Sequence, residues 1–179
     1  MNIIFLDIDG VLNCQLHYEK RKAEGRLNAK DHPYSEICQE RVSWLNGLCE
    51  SVDAKVVISS TWRHSGIDYC KDVLTKCGAT FDIIDITPSI RFKGSVRGNE
   101  IKAWIEDNYV LLNKHSHEFH TYAIIDDDSD MLLWQREHFF QTDSYSGLTP
   151  NTCHRIELFF KRQNAFALTG QELELKEKS

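Results

Sequence analysis

The chain has 179 residues, 41% hydrophobic and 27% charged, proportions that exclude wholesale disorder and fit one domain of the usual size, roughly 100–200 residues. No apolar run approaches the roughly 20 residues of a membrane span. The opening Met1–Asp7 lacks a basic n-region and breaks at an acid, so no signal peptide and no membrane is expected. The net charge of -6 speaks against a surface coated for non-specific DNA binding but leaves room for a local basic groove. The six cysteines form no CxxC pair and no compact zinc spacing. They read as reduced, mostly buried thiols of a cytoplasmic protein.

Ile3-Ile4-Phe5-Leu6 is a continuous apolar run, as in a strand covered on both faces, and it halts at Asp7. Residues 14–35 are polar and irregular, with Lys20-Arg21-Lys22 within them, and are expected to form a long loop with one helical turn at most, a flap or small cap. A helix follows with Ser35 as N-cap and a stripe of Ile37, Val42, Leu45 and Leu48. Lys55–Ile58 is a second strand ending at Ser59-Ser60-Thr61, and Ile67–Cys77 a helix stopped by Gly78. Thr80–Ile84 reads as a third strand, Pro88–Val96 as a loop, and Gly98–Asn108 as a helix with Ile101, Trp104 and Ile105 at helical spacing. Tyr122–Ile125 is a fourth strand running into Asp126-Asp127-Asp128, and His138–Thr142 a short fifth. Thr149-Pro150 has the form of an N-cap followed by a first-turn proline, opening a helix to about Phe166. The polar tail from Gly170 is expected to fray. Strands alternating with helices predict a three-layer α/β domain over residues 1–170 with a mostly parallel sheet. Its site should lie beyond the C-terminal ends of the strands.

Those strand ends carry the chemistry. Asp7 and Asp9 follow the first strand, Ser59 and Ser60 the second, Asp126 and Asp127 the fourth. Acids gathered in one patch repel unless a cation neutralises them. Oxygen donors without His or Cys suit a hard ion, Mg²⁺.

A strand followed by Asp7-Ile8-Asp9-Gly10-Val11, a second ending in Ser or Thr, a basic residue before a later helix, and a strand ending in paired acids resemble the four motifs of the haloacid dehalogenase (HAD) superfamily. The longer strings Phe5–Asn13, Ser59–Arg63 and Ile125–Met131, with Gly147-Leu148-Thr149, resemble a narrower branch of phage and bacterial HAD-type domains. Some of these are linked to RNA repair and are similar to polynucleotide 3'-phosphatases. The resemblance implies a HAD-like Rossmannoid fold with a minimal cap and a Mg²⁺-dependent phosphatase.

It further implies that Asp7 is the nucleophile and that Asp9 is the acid and base, its backbone carbonyl also on the metal. Gly10 would bend the chain so that backbone N–H groups reach phosphate. Ser59 would supply the phosphate-binding hydroxyl, with Ser60 the alternative. The third-motif cation departs from the usual Lys. Arg97 at the helix start is preferred for its bidentate reach, with Lys102 and then Lys93 as alternatives. Asp126 and Asp127 would complete the metal shell, either one being the direct ligand. Asp130 would orient a ligand or cap the helix after it.

A small insert leaves the site open to a large phosphorylated substrate, such as a nucleic-acid end or a phosphoprotein. Lys20, Arg21, Lys22, Arg26, Arg63, Arg91 and Lys93 could meet its phosphates, and Tyr18, Tyr34 and Trp62 its bases. The leading reading is a phosphomonoester hydrolase of unspecified substrate; a nucleic-acid 3'-phosphatase and a HAD-fold binding module without turnover are the rival readings. His115, His117 and His120 lie on a polar stretch with no fourth ligand, and zinc is not expected there.

Overall fold

The computed structural model describes residues 1–26, 33–90, 95–113 and 121–177. Five strands, β1 (Asn2–Leu6), β2 (Ala54–Ile58), β3 (Ile83–Ile86), β4 (Tyr122–Asp126) and β5 (Phe139–Gln141), form one sheet. Its order is β3-β2-β1-β4-β5, and every pairing is parallel. The helices are α1 (Gln15–Ala23), α2 (Gln39–Val52), α3 (Ile67–Lys76), α4 (Arg97–Asn113) and α5 (Pro150–Glu177).

The run Ile3–Leu6 is apolar throughout because the central strand is covered on both sides. Ile4 and Leu6 pack into one core with residues of α2, α3 and α5, among them Leu45, Leu74 and Phe160. Ile3 and Phe5 join the other, beneath Ile101 and Trp104 of α4. The layering follows from the handedness of parallel crossovers. The chain steps outward from β1 to β3 with α2 and α3 on one face. It then returns across the sheet to β4 with α4 on the other. The strand order therefore reverses between β1 and β4, the place where open α/β sheets hold their ligands.

Several boundaries differ from the sequence expectation. Residues 15–23 are a two-turn helix, not loop. No residue of α1 is buried, so there was no apolar stripe to read; its helix-forming residues and the basic Lys20, Arg21 and Lys22 in its last turn stabilise it instead. Ser35 sits in a 3-10 turn, and the N-cap of α2 is Cys38, which makes no side-chain cap bond. The third strand falls at Ile83–Ile86, later than expected, where Ile83 pairs with Val56 and Ile86 with Ile58. The cap at Thr149 is present, its hydroxyl accepting from the Thr152 N–H at 3.1 Å. The helix it opens continues through Gly170 to Glu177, so the stretch expected to be tail is helical. All six cysteines are free thiols, five of them buried. Among the described residues, no helix is long and apolar enough to cross a membrane.

Candidate active site

The ladder of β1 runs one residue past the strand. The Asp7 N–H donates to the Ile125 carbonyl at 2.9 Å, and the Ser59 N–H to the Leu6 carbonyl at 2.8 Å. Asp7, Ser59 and Asp126 thus stand side by side at the reversal point, and all three are buried. After Asp7 the chain closes a tight turn in which the N–H groups of Val11, Leu12 and Asn13 all point at the Ile8 carbonyl. Gly10 has φ +68° there, and a Cβ on it would lie 2.2 Å from Asp127 Cγ. Glycine is required twice over, by the backbone and by the carboxylate that occupies its missing side chain's place. From the far strand the Thr142 hydroxyl donates to the Gly10 carbonyl at 3.0 Å and Gln141 Nε2 to the Asp127 carbonyl at 2.8 Å.

One carboxylate oxygen each from Asp7, Asp126 and Asp127 lies within 4.8 Å of the others. Burial pushes Asp7 up to about 6 despite the pull of Arg97 and the Ser60 hydroxyl. Burial and the charge of Asp7 push Asp126 up to about 8. Asp127 is raised as well, chiefly by burial. Arg97 is the cation that answers them, loosely, with Nη2 3.9 Å from Asp7 Oδ1 and Nε 3.6 Å from Asp126 Oδ2. Asp7 Oδ1, Asp126 Oδ2, Ser59 Oγ and Arg97 Nη1 are buried without a hydrogen-bond partner among the described residues. Unsatisfied carboxylate oxygens with no nitrogen or sulfur donor fit a hard divalent ion such as Mg²⁺. The Ser59 hydroxyl and the Arg97 N–H fit an anion beside it.

Asp9 stands apart. It is exposed, and its carboxylate accepts from Trp62 Nε1 at 3.1 Å on each oxygen and from Asn13 Nδ2 at 2.7 Å. Its side chain is not among the three clustered acids. The Gly10 N–H, expected to face phosphate, instead donates to Asn13 Oδ1 at 3.1 Å, which ties the turn shut. Ser60 Oγ accepts from the Trp62 N–H at 3.4 Å and caps the 3-10 turn Thr61–Ser65. Lys102 does not reach the cluster. Five residues on from Arg97, about 140° round the helix, its side chain is 48% exposed and pairs with Glu106 at 3.3 Å.

The start of α4, and so Arg97, is held by contacts absent from the sequence reading. Asp130 Oδ2 accepts from the Arg97 N–H at 2.8 Å and its carbonyl from the Gly98 N–H at 3.3 Å, so Asp130 caps the helix before it, not one after it. Buried Gln135 donates to the Gly98 carbonyl at 2.9 Å and accepts from the Leu132 N–H at 2.9 Å. Arg63 is no surface cation. It is buried, donates to the Ser60 carbonyl at 2.7 Å and pairs with Glu100 of α4, bracing the β2 turn against the helix that bears Arg97. Trp62 is half-buried, its ring beside Tyr69 and its N–H on Asp9. The Tyr34 hydroxyl donates to Asp72 at 3.2 Å. Arg91, Lys93, His115, His117 and His120 lie outside the described residues.

A family model described as "HAD domain in Swiss Army Knife RNA repair proteins" matches residues 3–153. The chain belongs to this family. No curated protein and no solved structure matches it. The match begins at β1 and ends in the first turn of α5, so every residue of the acid cluster, Ser59 and Arg97 fall within the HAD domain. The chain is thus a HAD-type hydrolase domain, of a superfamily that generally uses Mg²⁺, and its own buried acids offer oxygens for such an ion.

Proposed function

We propose that this HAD domain hydrolyses a phosphomonoester through Asp7 and that its substrate is the phosphorylated end of a nucleic acid, a 3'-phosphate in the first instance. The observation that carries the reading is the set of buried, unpartnered groups around Asp7. Two carboxylate oxygens want a cation, and a hydroxyl and a guanidinium want an anion, at one place.

Asp7, Asp126 and Asp127 would hold Mg²⁺, together with the Asp9 backbone carbonyl. Bound there, it would neutralise the clustered acids and the charge of the entering phosphate. Ser59 and Arg97 hold phosphoryl oxygens. An Asp7 oxygen attacks phosphorus in line as the bond to the leaving oxygen breaks, and Asp9 gives that oxygen its proton. Asp9, now a carboxylate, takes a proton from the water that attacks the aspartyl-phosphate. Inorganic phosphate leaves and Asp7 is restored. Trp62 and Asn13 hold the Asp9 carboxylate in place with access to water, and by donating to its ionised form they support the base half of this role.

The family description supports the polynucleotide substrate, because it names RNA repair proteins. Asp7→Asn is expected to lower turnover of a 3'-phosphorylated oligonucleotide by roughly a thousandfold or more while the Tm stays at or above that of the wild type. EDTA should abolish wild-type activity, with return on Mg²⁺ and not on Zn²⁺. Wild-type turnover by Asp7→Asn would sink the nucleophile assignment.

A further inference from the structure

An open groove of about 400 Å³ runs from the active-site turn along α1. Gly10 and Asp127 line it where it meets the acid cluster, and His17, Tyr18, Arg21 and Glu36 line it beyond. The helix beside it is unusual in burying no residue. Yet it is pinned in place. The N–H groups of Gln15 and Leu16 donate to the carbonyls of Ser144 and Tyr145 at 3.2 and 2.9 Å. The Tyr145 hydroxyl donates to Glu19 at 3.1 Å, and the His17 ring to the Ser35 carbonyl at 3.3 Å. A helix that adds nothing to the core, but is fixed at several points, serves to present side chains.

What it presents is an aromatic ring and positive charge. Tyr18 is 49% exposed, and Arg21 lies three residues on, on the same side of the helix. Lys20 and Lys22 flank Arg21 in sequence but lie about 100° to either side of it on the helix, so Arg21 is the cation that lines the groove. One Arg21 N–H donates to the Arg26 carbonyl, which uses one of the five donors of a guanidinium. Aromatic rings beside a basic track are how proteins hold single strands, because every base has a face to stack. The volume lies near the small end of ligand pockets, about 300–1,000 Å³, and suits one nucleoside. A small phosphate ester seated at Asp7 would leave the groove unused.

We infer that this groove receives the terminal nucleoside of a single-stranded nucleic-acid end, its base stacked on Tyr18 and the next phosphate along the strand met by Arg21. The inference rests on the reading of Asp7 as a phosphatase nucleophile, and it adds the surface that selects a polynucleotide over a small ester. Tyr18 is solvent-facing on a helix outside the core, so its replacement leaves the fold intact.

The test uses the full chain with two substrates, a 3'-phosphorylated single-stranded oligonucleotide and a small aryl phosphate. Tyr18→Ala is expected to lower the ratio of their kcat/KM values at least about fivefold, the low end of what loss of one stacked base gives. The loss should fall on KM, and Tyr18→Phe should restore the ratio. Arg21→Ala should lower the same ratio and flatten its fall with salt. In a turnover-independent arm, binding of the fluorescent oligonucleotide to Asp7→Asn should weaken by a similar factor when Tyr18→Ala is added. An unchanged ratio together with unchanged binding overturns the groove while leaving the phosphatase reading standing. Hydrolysis of neither ester by the wild type overturns the phosphatase reading, and the binding arm then decides the groove alone. A phosphopeptide run as a third substrate and preferred over the oligonucleotide also overturns the groove.

Discussion

Gly10 shares its space with a carboxylate, which makes it a sensitive reporter of the site. Alanine there must adopt φ +68° and place its Cβ 2.2 Å from Asp127 Cγ. The backbone cost is about 1 kcal/mol, and Asp127 must also move away from Asp7 and Asp126. Gly10→Ala is expected to lose about 1–3 kcal/mol of stability and at least about a hundredfold in phosphatase activity. Adding Asp127→Ala should recover much of the stability and none of the activity, which denaturant melts and a phosphate-release assay would show. Recovery of both would mean that Asp127 takes no part in the chemistry. Asp9 is the opposite kind of residue, exposed and held by two donors, one of them on a turn 53 positions away.

At the level of elements, α4 is the part that carries the cation to the acids, and its first turn is clamped by Asp130 and Gln135. Removing the Asp130 side chain leaves the Arg97 N–H without its cap, worth about 1 kcal/mol, and loosens the guanidinium. Asp130→Ala should therefore cost activity well beyond its effect on Tm, with Asp130→Asn restoring most of the loss and Lys102→Ala costing little. Equal activity in Asp130→Ala and wild type would show that the clamp does not position Arg97. The sequence made the acids and hydroxyls visible because each sits where an apolar strand stops, and Arg97 because it opens a helix. It could not show Trp62 on Asp9, Gln135 on Gly98 or Asp130 reaching back to α4, since these join segments tens of residues apart and follow no period. α1 escaped notice for a related reason. Amphipathic pattern reports burial, and this helix buries nothing. β3 was misplaced because Phe81, an apolar residue before the strand, packs on the core without joining the ladder.

Across the whole molecule the acid cluster sets a conflict between stability and function. Asp7 and Asp126 have folded pKa values of about 6 and about 8, above the ordinary 3.8. The folded state therefore holds protons that the unfolded state has released, and stability falls as pH rises from about 4 through these values. For Asp126 the loss at pH 8 is on the order of a few kcal/mol. In EDTA the Tm should decline between pH 5 and pH 8.5. Asp126→Asn should flatten that decline and raise the Tm at pH 8 by at least about 3 °C. Mg²⁺ should raise the wild-type Tm more at pH 8 than at pH 5. A chelated wild-type Tm that climbs across this range, unaltered by Asp126→Asn, would show the acids to be otherwise compensated.

The strand that leads into Asp7 is the first of the five in chain order and the middle one in the sheet, with Ile3 paired to Lys55 on one side and to Tyr122 on the other. On the ribosome, where synthesis proceeds at about 5–20 residues per second, β1 emerges before the other four strands and waits. Its first neighbour arrives with β2, but the second comes only once β4 has been made. A nascent chain can thus assemble β1, β2 and their helices on one face while Asp7 still lacks Asp126, Asp127 and Arg97. The acid cluster is assembled late, so incomplete chains of this protein would carry its most recognisable motif and, on the proposed mechanism, none of its chemistry.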